Sequence, residues 1–368
     1  MPSVIVVGGG VVGATIAREL ALAGARVRLL DARAPGDGAT RASAGMLAPY
    51  IEGHPSSPLR ELGRESLDLY DDFIVRLRRD SRSDIVYERC GTLEVALTQE
   101  GAEKLSAASG TLWREGVEAR WVPAAIIPDL EPNVTPEAQG GLFIPQHGFV
   151  GVASLTAAAV AAAEARGAEV MVEMGVLGIR RLPDGDVEVR TATDSWEADA
   201  CVMAAGSWSS RITVEGADPV PVTPIRGQLL QLSAPRGLLT RVIWGPAGYL
   251  VPWPDGSVLA GATVEDVGFD EGTTPEGRHA LMEMAVALVP ALKNASISDV
   301  RAGLRPRAPD DLPIIGRSKV VPGLVYATGH YRSGVLLAPL TAELVRRLVL
   351  DRSASTLPVL DPQRCGNL

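Results

Sequence analysis

The sequence has few of the residues from which disulfide-bonded and metal-binding proteins are built. Its 368 residues include three cysteines and four histidines. The cysteines, Cys90, Cys201 and Cys365, are odd in number, far apart and without C-x-x-C spacing, and the histidines never cluster at ligand spacing. This usage disfavours a disulfide framework and a metal site, and it indicates a reducing, cytoplasmic compartment.

Long apolar runs and an excess of positive charge are also absent. No stretch approaches 18 apolar residues without a charge, so we expect no transmembrane segment. The apolar stretch near the N-terminus has no basic region before it and is interrupted by glycines, so we expect no signal peptide. The net charge of −9 gives no reason to expect nucleic acid or an anionic membrane as a partner, although local arginines could still bind a small anionic substrate.

The first turn of the chain carries the strongest motif. Residues 4–7 are an apolar run that predicts a strand buried on both faces, and residues 14–22 predict the helix that follows. Between them, Gly8, Gly10 and Gly13 have the G-x-G-x-x-G spacing, which gives a tight turn, close backbone approach to a pyrophosphate and close packing of helix on strand.

A correctly spaced acid strengthens that motif. A second apolar run ends at Asp31, 18 residues after Gly13, where a carboxylate reaches a ribose hydroxyl. A glycine triplet alone also occurs in ordinary β–α turns of α/β proteins. The triplet together with its strand, helix and acid favours a dinucleotide site.

The whole chain alternates between two patterns. A composition of 46% hydrophobic and 21% charged residues is that of a globular protein, and 368 residues are enough for two domains. We predict the α/β fold class, with a discontinuous Rossmann-like dinucleotide-binding domain and an α+β substrate domain on an antiparallel sheet. The predicted segments are 1–85, 140–218 and 305–368 for the first domain, and 86–139 and 219–304 for the second.

Two later predicted strands also end in small residues. Ala205-Gly206-Ser207-Trp208 follows one of them and Gly329-His330 the other, and ligands of such sheets lie beyond the carboxyl ends of strands. The small-residue stretch 35–47 is either a plain surface loop or a backbone that lies against a planar ligand. NAD and FAD proteins share the opening motif, but contacts spread over one discontinuous domain favour FAD.

With these residues the chain resembles the flavin amine oxidases of the D-amino-acid oxidase family, and among them the glycine oxidases of thiamine biosynthesis. The resemblance covers nearly the whole length, and its most specific carriers are Gly303-Leu304-Arg305-Pro306 and the stretch 329–339. The other carriers are the stretches 8–13, 44–47, 248–252, 261–263 and 313–316.

The resemblance implies a set of FAD contacts, with Asp31 at the adenosine ribose and the flavin ring between the Gly329 turn and the 44–47 loop. His330 is expected to shape its turn rather than to act as a base. Tryptophans such as Trp208, Trp244 and Trp253 are more often core or rim residues than residues that stack on a cofactor. The candidate cofactor-binding residues are Gly8, Gly10, Val11, Val12, Gly13, Asp31, Ala32, Ala39, Thr40, Ala44, Gly45, Met46, Val176, Ala205, Gly206, Trp208, His330, Tyr331, Arg332, Ser333, Gly334, Val335 and Leu336.

The resemblance also implies a substrate site. Arg305 would pair with the substrate carboxylate, helped by the Tyr249 hydroxyl, with Arg332 close to the substrate. Val264 occupies a position that varies among glycine oxidases and would shape the pocket. Without the resemblance, Arg305 could be a surface arginine of a strand and Tyr249 a core aromatic with a satisfied hydroxyl.

The implied activity is oxidative deamination of glycine, sarcosine or small D-amino acids to an imine and then a 2-oxo acid, by hydride transfer from Cα to flavin N5, with O2 as acceptor and H2O2 as product. FAD is expected to be non-covalent, because residues 307–319 contain no cysteine for attachment. The family implies a homo-oligomer, typically a tetramer. Two alternatives stay open: a dehydrogenase that uses another electron acceptor, and a non-catalytic FAD-binding subunit.

Overall fold

The computed structural model describes residues 1–52, 57–351 and 353–368. In these ranges the helices are α1 (Val11–Leu22), α2 (Pro49–Glu52), α3 (Pro58–Ser81), α4 (Gln99–Arg114), α5 (Ile127–Leu130), α6 (Val152–Glu164), α7 (Pro275–Leu288) and α8 (Ala338–Leu350). The strands are β1 (Ser3–Val7), β2 (Arg26–Leu30), β3 (Met46–Leu47), β4 (Tyr87–Glu88), β5 (Thr92–Ala96), β6 (Arg120–Pro123), β7 (Gly140–Ile144), β8 (Gly148–Val150), β9 (Glu169–Met171), β10 (Gly178–Arg181), β11 (Val187–Arg190), β12 (Ser195–Ala198), β13 (Ala200–Met203), β14 (Thr213–Val214), β15 (Thr223–Leu232), β16 (Val242–Gly245), β17 (Gly248–Pro252), β18 (Val258–Gly261), β19 (Ile297–Arg307), β20 (Ile314–Arg317) and β21 (Leu324–Thr328).

A six-stranded sheet holds the first turn of the chain. Its order is β20-β21-β13-β1-β2-β9, and every pair is parallel except β20 with β21. The central strand β1 is buried on both faces, as its apolar run predicted. Val4 and Val6 pack in the core of helices α1, α6 and α8, whereas Ile5 and Val7 face the four-stranded sheet β12-β11-β10-β14. The result is a three-layer arrangement.

An eight-stranded sheet forms the other large layer, in the order β19-β15-β18-β17-β16-β5-β7-β6. Its pairs are antiparallel except β16 with β5. Leu93 and Val95 face α7 and the core on that side, because alternate residues of a strand point to opposite faces. Tyr249, on the other face, packs with Met46 from the loop that follows the first β–α–β unit. This second face therefore lies toward the dinucleotide motif.

The mixed α/β class is confirmed, but strand pairing differs from two of the predicted segment boundaries. Strand β7 was assigned to the first domain, yet it pairs with β5 and β6 in the eight-stranded sheet. Strand β19 continues through Arg307, past the predicted boundary at 305, because it stays paired with β15 to that point. The division into two domains itself remains a prediction. No helix in the described ranges is both long and apolar enough to cross a bilayer.

Candidate functional site

A cavity of about 400 Å³ lies between the two large sheets, beyond the carboxyl ends of β1, β2, β13 and β21. This is where an open α/β sheet binds ligands, and the volume is in the range of small-molecule and cofactor sites. Tyr249 and Arg305 of the eight-stranded sheet complete its wall. The cavity thus joins the predicted dinucleotide motif to the predicted substrate residues.

The glycine turn forms a tight cradle at one end of the cavity. Gly8 has a φ of 102°, and a Cβ there would lie 2.4 Å from the carbonyl oxygen of Ala204. A Cβ on Gly13 would lie 1.8 Å from the carbonyl oxygen of Gly8, so helix α1 can approach the turn only with glycine at this position. The N-cap residue of α1, Gly10, supplies no side-chain cap, and the first turn of the helix contains no acidic residue. Such a helix N-terminus suits a pyrophosphate.

Asp31 lies at the mouth of this cradle. Its carboxylate accepts hydrogen bonds from the backbone N–H groups of Gly9 (2.6 Å) and Arg33 (2.8 Å), and these bonds fix it at the end of β2. Thr40, on the loop that follows, accepts a hydrogen bond from the Val11 N–H at 3.0 Å. The loop therefore lies against the start of α1 instead of extending into solvent. These residues fit the adenosine and pyrophosphate parts of a dinucleotide.

The 44–47 stretch reaches the middle of the cavity. Gly45 has a φ of 72°, and a Cβ there would lie 1.8 Å from the carbonyl oxygen of Val150. Strand β3 pairs with β8, and the Val150 N–H donates to the Gly45 carbonyl at 2.9 Å. The sequence left two interpretations open, a plain surface loop or a backbone that lies against a ligand. The position of this stretch on the cavity wall fits the second.

Arg305 marks the opposite end of the cavity. Its Nη1 donates to the carbonyl oxygen of Thr263 at 2.9 Å. Gly227 on the paired strand β15 leaves room for the guanidinium, because a Cβ there would lie 2.1 Å from Nη2. Burial lowers the pKa of Arg305, and the positive charge of Arg332 lowers it further, while Tyr249 opposes the shift. A guanidinium placed in this way is suited to an anionic partner.

Two other candidates lie beside it. Tyr249 is buried, its ring packs 5.3 Å from that of Trp244, and burial raises the pKa of its hydroxyl. Arg332 lies on the exposed turn after β21 and lines the cavity. Three elements distant in sequence, β17, β19 and this turn, therefore supply the predicted substrate residues.

The Gly329 turn closes the wall. Gly329 and Tyr331 have positive φ values of 73° and 47°, and the Tyr331 N–H donates to the Pro306 carbonyl at 2.8 Å. His330 is 3% exposed, its Nε2 lies 3.0 Å from the hydroxyl of Thr341, and burial lowers its pKa to about 4. A neutral imidazole paired in this way agrees with a role in shaping the turn.

Four of the predicted residues do not line the cavity. Gly13 lies beneath the glycine turn, and Val264 is 56% exposed on the segment after β18. Ser333 and Leu336 are buried inside their turn, where the Leu336 carbonyl accepts a hydrogen bond from Ser66. The remaining candidates all lie on the wall, and none of the three cysteines, all within the described ranges, does so.

Sequence reasoning missed Glu52, at the end of α2. Its carboxyl lines the cavity with Arg305, Tyr249 and Arg332. Burial raises its pKa to about 7, although Arg332 and Arg305 act in the opposite direction. Its position, five residues after the 44–47 stretch, was the available signal. Arg33, Arg211 and Gly227 on the wall were missed as well.

Comparison with known proteins agrees with this geometry. The bifunctional protein ThiO/ThiG of Nostoc sp. is 36% identical over 96% of the chain, but the match covers only 53% of the relative, so the chain spans about half the length of the curated relatives of this kind. Glycine oxidase of Geobacillus kaustophilus is 35% identical over 94% of the chain and 92% of the relative. The crystal structure of glycine oxidase from the same organism superposes with a TM-score of 0.93 at 32% identity, covering 99% of this chain and 98% of that one.

The model of one protein family, DAO (FAD dependent oxidoreductase), matches residues 3–348. That range includes the glycine cradle, Glu52, Tyr249, Arg305 and the Gly329 turn. The cavity has the cradle, the helix terminus and the acid that a dinucleotide needs, so the residues present fit FAD. The chain accordingly belongs to the DAO family of FAD-dependent oxidoreductases.

Proposed function

We propose that this FAD-dependent oxidoreductase oxidises glycine and other small amines, including sarcosine and small D-amino acids, to the imine and then the 2-oxo acid. O2 would accept the electrons and yield H2O2, and the product would serve thiamine thiazole synthesis. The observation that carries the proposal is the meeting of Arg305, Tyr249 and Arg332 at the end of the cavity away from the glycine cradle. Similarity to glycine oxidase and to ThiO/ThiG proteins supports the substrate and the pathway.

The carboxylate of the amine substrate would bind Arg305. The planar guanidinium can hold both carboxylate oxygens, and the carbonyl of Thr263 fixes its orientation from behind. Arg332 adds a second positive charge, and the buried Tyr249 hydroxyl can donate a hydrogen bond. This clamp orients the Cα–H bond, which must approach to roughly 3–3.5 Å for reaction. Bound FAD would supply the two-electron oxidation, as a hydride acceptor.

Glu52 would act on the other end of the substrate. An amino acid is a zwitterion near neutral pH, and its ammonium must lose a proton before the nitrogen lone pair can form the imine. The Glu52 carboxyl, with its pKa raised to about 7 and placed near the two arginines, can pair with the ammonium and accept that proton. Arg305 and Glu52 together would select a small molecule with both charges.

Anaerobic mixing with a panel of amines tests this proposal most directly. Bleaching of the flavin absorbance by glycine, sarcosine, D-alanine and D-proline, but not by L-amino acids, is the expected result. An oxygen electrode then separates the acceptors, because bleaching without O2 uptake would identify a dehydrogenase. Failure of every amine to bleach the flavin would contradict amine oxidation and favour a non-catalytic FAD-binding subunit.

We further propose that FAD is held without a covalent bond, in a cytoplasmic homo-oligomer. The absence of a cysteine from the cavity wall supports the first point. Acid precipitation should release the flavin into the supernatant, whereas yellow colour in the pellet would contradict it. Light scattering of the purified holoenzyme gives the oligomeric state, and a monomer would rule out the expected assembly.

A further inference from the structure

Residues 263–271, between β18 and α7, contact cavity residues from both large sheets, and we name them the crossing segment. At its start, Thr263 accepts the hydrogen bond from Arg305. At its end, the Glu271 carboxylate lies 2.9 Å from the guanidinium of Arg33, which follows β2 and lines the cavity. The segment thus leaves the eight-stranded sheet and reaches the wall built by the six-stranded sheet.

A buried arginine fixes the course of the crossing segment. Arg226 on β15 is 4% exposed, and its Nε donates to Glu265 at 3.0 Å while its Nη1 donates to Asp270 at 2.5 Å. The backbones of Arg226 and Glu265 also exchange hydrogen bonds. Gln228 adds a side-chain bond to Glu265 at 2.8 Å. A buried guanidinium with two carboxylate partners holds this segment in place, since loss of the arginine would leave both carboxylates without their counter-charge.

Beyond this anchor the segment contributes to a cluster in which two tilted aromatic rings, Trp208 and Phe269, lie between two arginines. The Phe269 ring lies 5.8 Å from the Trp208 ring. The Arg33 guanidinium lies 4.3 Å from the centre of the Trp208 ring, and that of Arg211 lies 4.5 Å from the centre of Phe269. Arg33, Trp208 and Arg211 belong to the dinucleotide side and line the cavity. Phe269 and Glu271 are the groups that hold them from outside.

This cluster lies on the part of the cavity wall that includes Asp31, the expected adenosine ligand. Arg33 follows two residues after Asp31, the expected ribose ligand, and Trp208 follows β13 beside the glycine cradle. Adenine is a flat aromatic ring, and guanidinium and indole groups both pack against such faces. Arg33 and Glu271 are each about one-third exposed, so their ion pair alone contributes little free energy to holding the segment. The position of the segment against the cavity wall depends mainly on the contacts of the aromatic rings.

We propose that the crossing segment clamps the adenosine half of FAD by holding Arg33 and Trp208 against it through Phe269 and Glu271. The inference rests on FAD as the cofactor and is independent of which amine is oxidised. Because the same segment supports Arg305, cofactor retention and the carboxylate clamp share one connection between the two sheets. Phe269 is a positioning residue in this scheme, since it acts through Trp208 and Arg211.

Titration of apoprotein with FAD, followed by quenching of flavin fluorescence, tests the clamp without any turnover. Phe269→Ala should raise the Kd for FAD about tenfold, the size expected for loss of an aromatic pair and a cation–π contact. The Ki of ADP, measured by competition with FAD, should rise by the same factor, because ADP carries the adenosine half. Val267→Ala, in the same segment but with a side chain 41% exposed, is the matched control and should leave both constants unchanged.

Two results would overturn the inference. One is wild-type affinity of Phe269→Ala for both FAD and ADP, and the other is weaker FAD binding with an unchanged Ki for ADP. Phe269→Leu, which keeps the apolar bulk but removes the ring, replaces the alanine variant if the latter does not fold. An inactive enzyme that binds FAD normally and shows the predicted variant effects would contradict the proposed amine oxidation while leaving the clamp intact.

Discussion

Arg305 can lie across the neighbouring strand only because Gly227, two residues after its register partner Ile225, has no side chain. A Cβ on Gly227 would lie 2.1 Å from the Arg305 Nη2, well inside contact distance. Gly227 and the carbonyl group of Thr263 therefore position the arginine. Gly227 lies on the eight-stranded sheet, and Thr263 lies just after the end of β18. Because the guanidinium is already held in place, ordering it costs little conformational entropy when it binds a carboxylate.

Removal of this guanidinium should greatly weaken catalysis with amino acids. For Arg305→Ala we expect kcat/KM for glycine to fall by roughly 30- to 5,000-fold, corresponding to about 2–5 kcal/mol for a lost carboxylate pairing. Steady-state oxidation of glycine, with FAD content measured in parallel, checks this. Arg301→Ala is the control on the same strand, since Arg301 pairs with Asp299 and does not line the cavity. Equal kinetics in the two variants would remove Arg305 from the substrate site.

Glu52 should control how kcat/KM depends on pH at the acid end of its range. With a pKa of about 7, the carboxylate form that accepts the amine proton is lost as pH falls below 7, so kcat/KM should decline there. Glu52→Gln should lower kcat/KM at pH 8 and abolish this decline. Glu94→Gln is a suitable control, because burial also raises the pKa of Glu94 to about 7 but its carboxyl does not line the cavity. A decline retained in Glu52→Gln would assign it to another group.

Single-residue roles at the site were only partly predictable. Gly8 and Asp31 have the spacing of a dinucleotide-binding β–α–β unit, so the sequence alone predicted their positions at the site. Glu52 and Arg33 obey no such rule. Tyr249 and Arg305 lie 197 and 253 residues after Glu52, and Trp208 lies 175 residues after Arg33. Val264 shows the converse, since its expected role came from resemblance and its side chain is largely exposed.

At the scale of elements, the short ladder of β3 with β8 holds the 44–47 stretch at the cavity. Two residue pairs and the Gly45–Val150 hydrogen bond are its backbone contacts. The apolar run of β1 predicted its burial directly. The sequence of the short apolar strand β7 carries no local signal for the sheet that it joins, because its pairing with β5 and β6 is visible only in the folded chain.

Gly45→Ala tests the importance of this ladder. The new Cβ would meet the Val150 carbonyl at 1.8 Å in a left-handed backbone conformation, so the loop must move. We expect the free energy of unfolding to fall by roughly 2 kcal/mol and FAD binding to weaken. Urea denaturation and FAD titration measure both. Gly110→Ala on α4, where no atom lies within 4 Å of the new Cβ, should instead be neutral or stabilising.

For the molecule as a whole, acid stability depends on histidines that are buried without charge. His147 is fully buried, stacks on Tyr50 at 5.5 Å, and has no hydrogen-bond partner on either ring nitrogen within the described part of the chain. Burial lowers its pKa to about 3, from 6.5. Between pH 6.5 and 4 the unfolded state therefore binds a proton that the folded state does not, so stability falls as pH falls.

His147→Gln should reduce this acid sensitivity. Between pH 6.5 and 4 the free energy of unfolding of the wild type should fall by about 3 kcal/mol more than that of the variant. Each pH unit below the pKa of this histidine in the unfolded chain costs about 1.4 kcal/mol. Urea midpoints from pH 4 to pH 7 give the comparison. His279→Gln, at an exposed position on α7, should behave like the wild type. Parallel pH curves for His147→Gln and the wild type would refute the assignment.

The positions of cysteine and methionine side chains around the cavity affect how the enzyme ages during turnover. The peroxide that we propose as product would form in a cavity whose wall, as far as the structure describes it, carries no cysteine. Burial raises the pKa of all three cysteines, which favours the protonated thiol over the reactive thiolate. Met46 and Met174, in contrast, line the wall. Oxidative ageing during turnover should therefore accumulate as thioether sulfoxides at these two positions rather than as sulfenic acids or crosslinked chains.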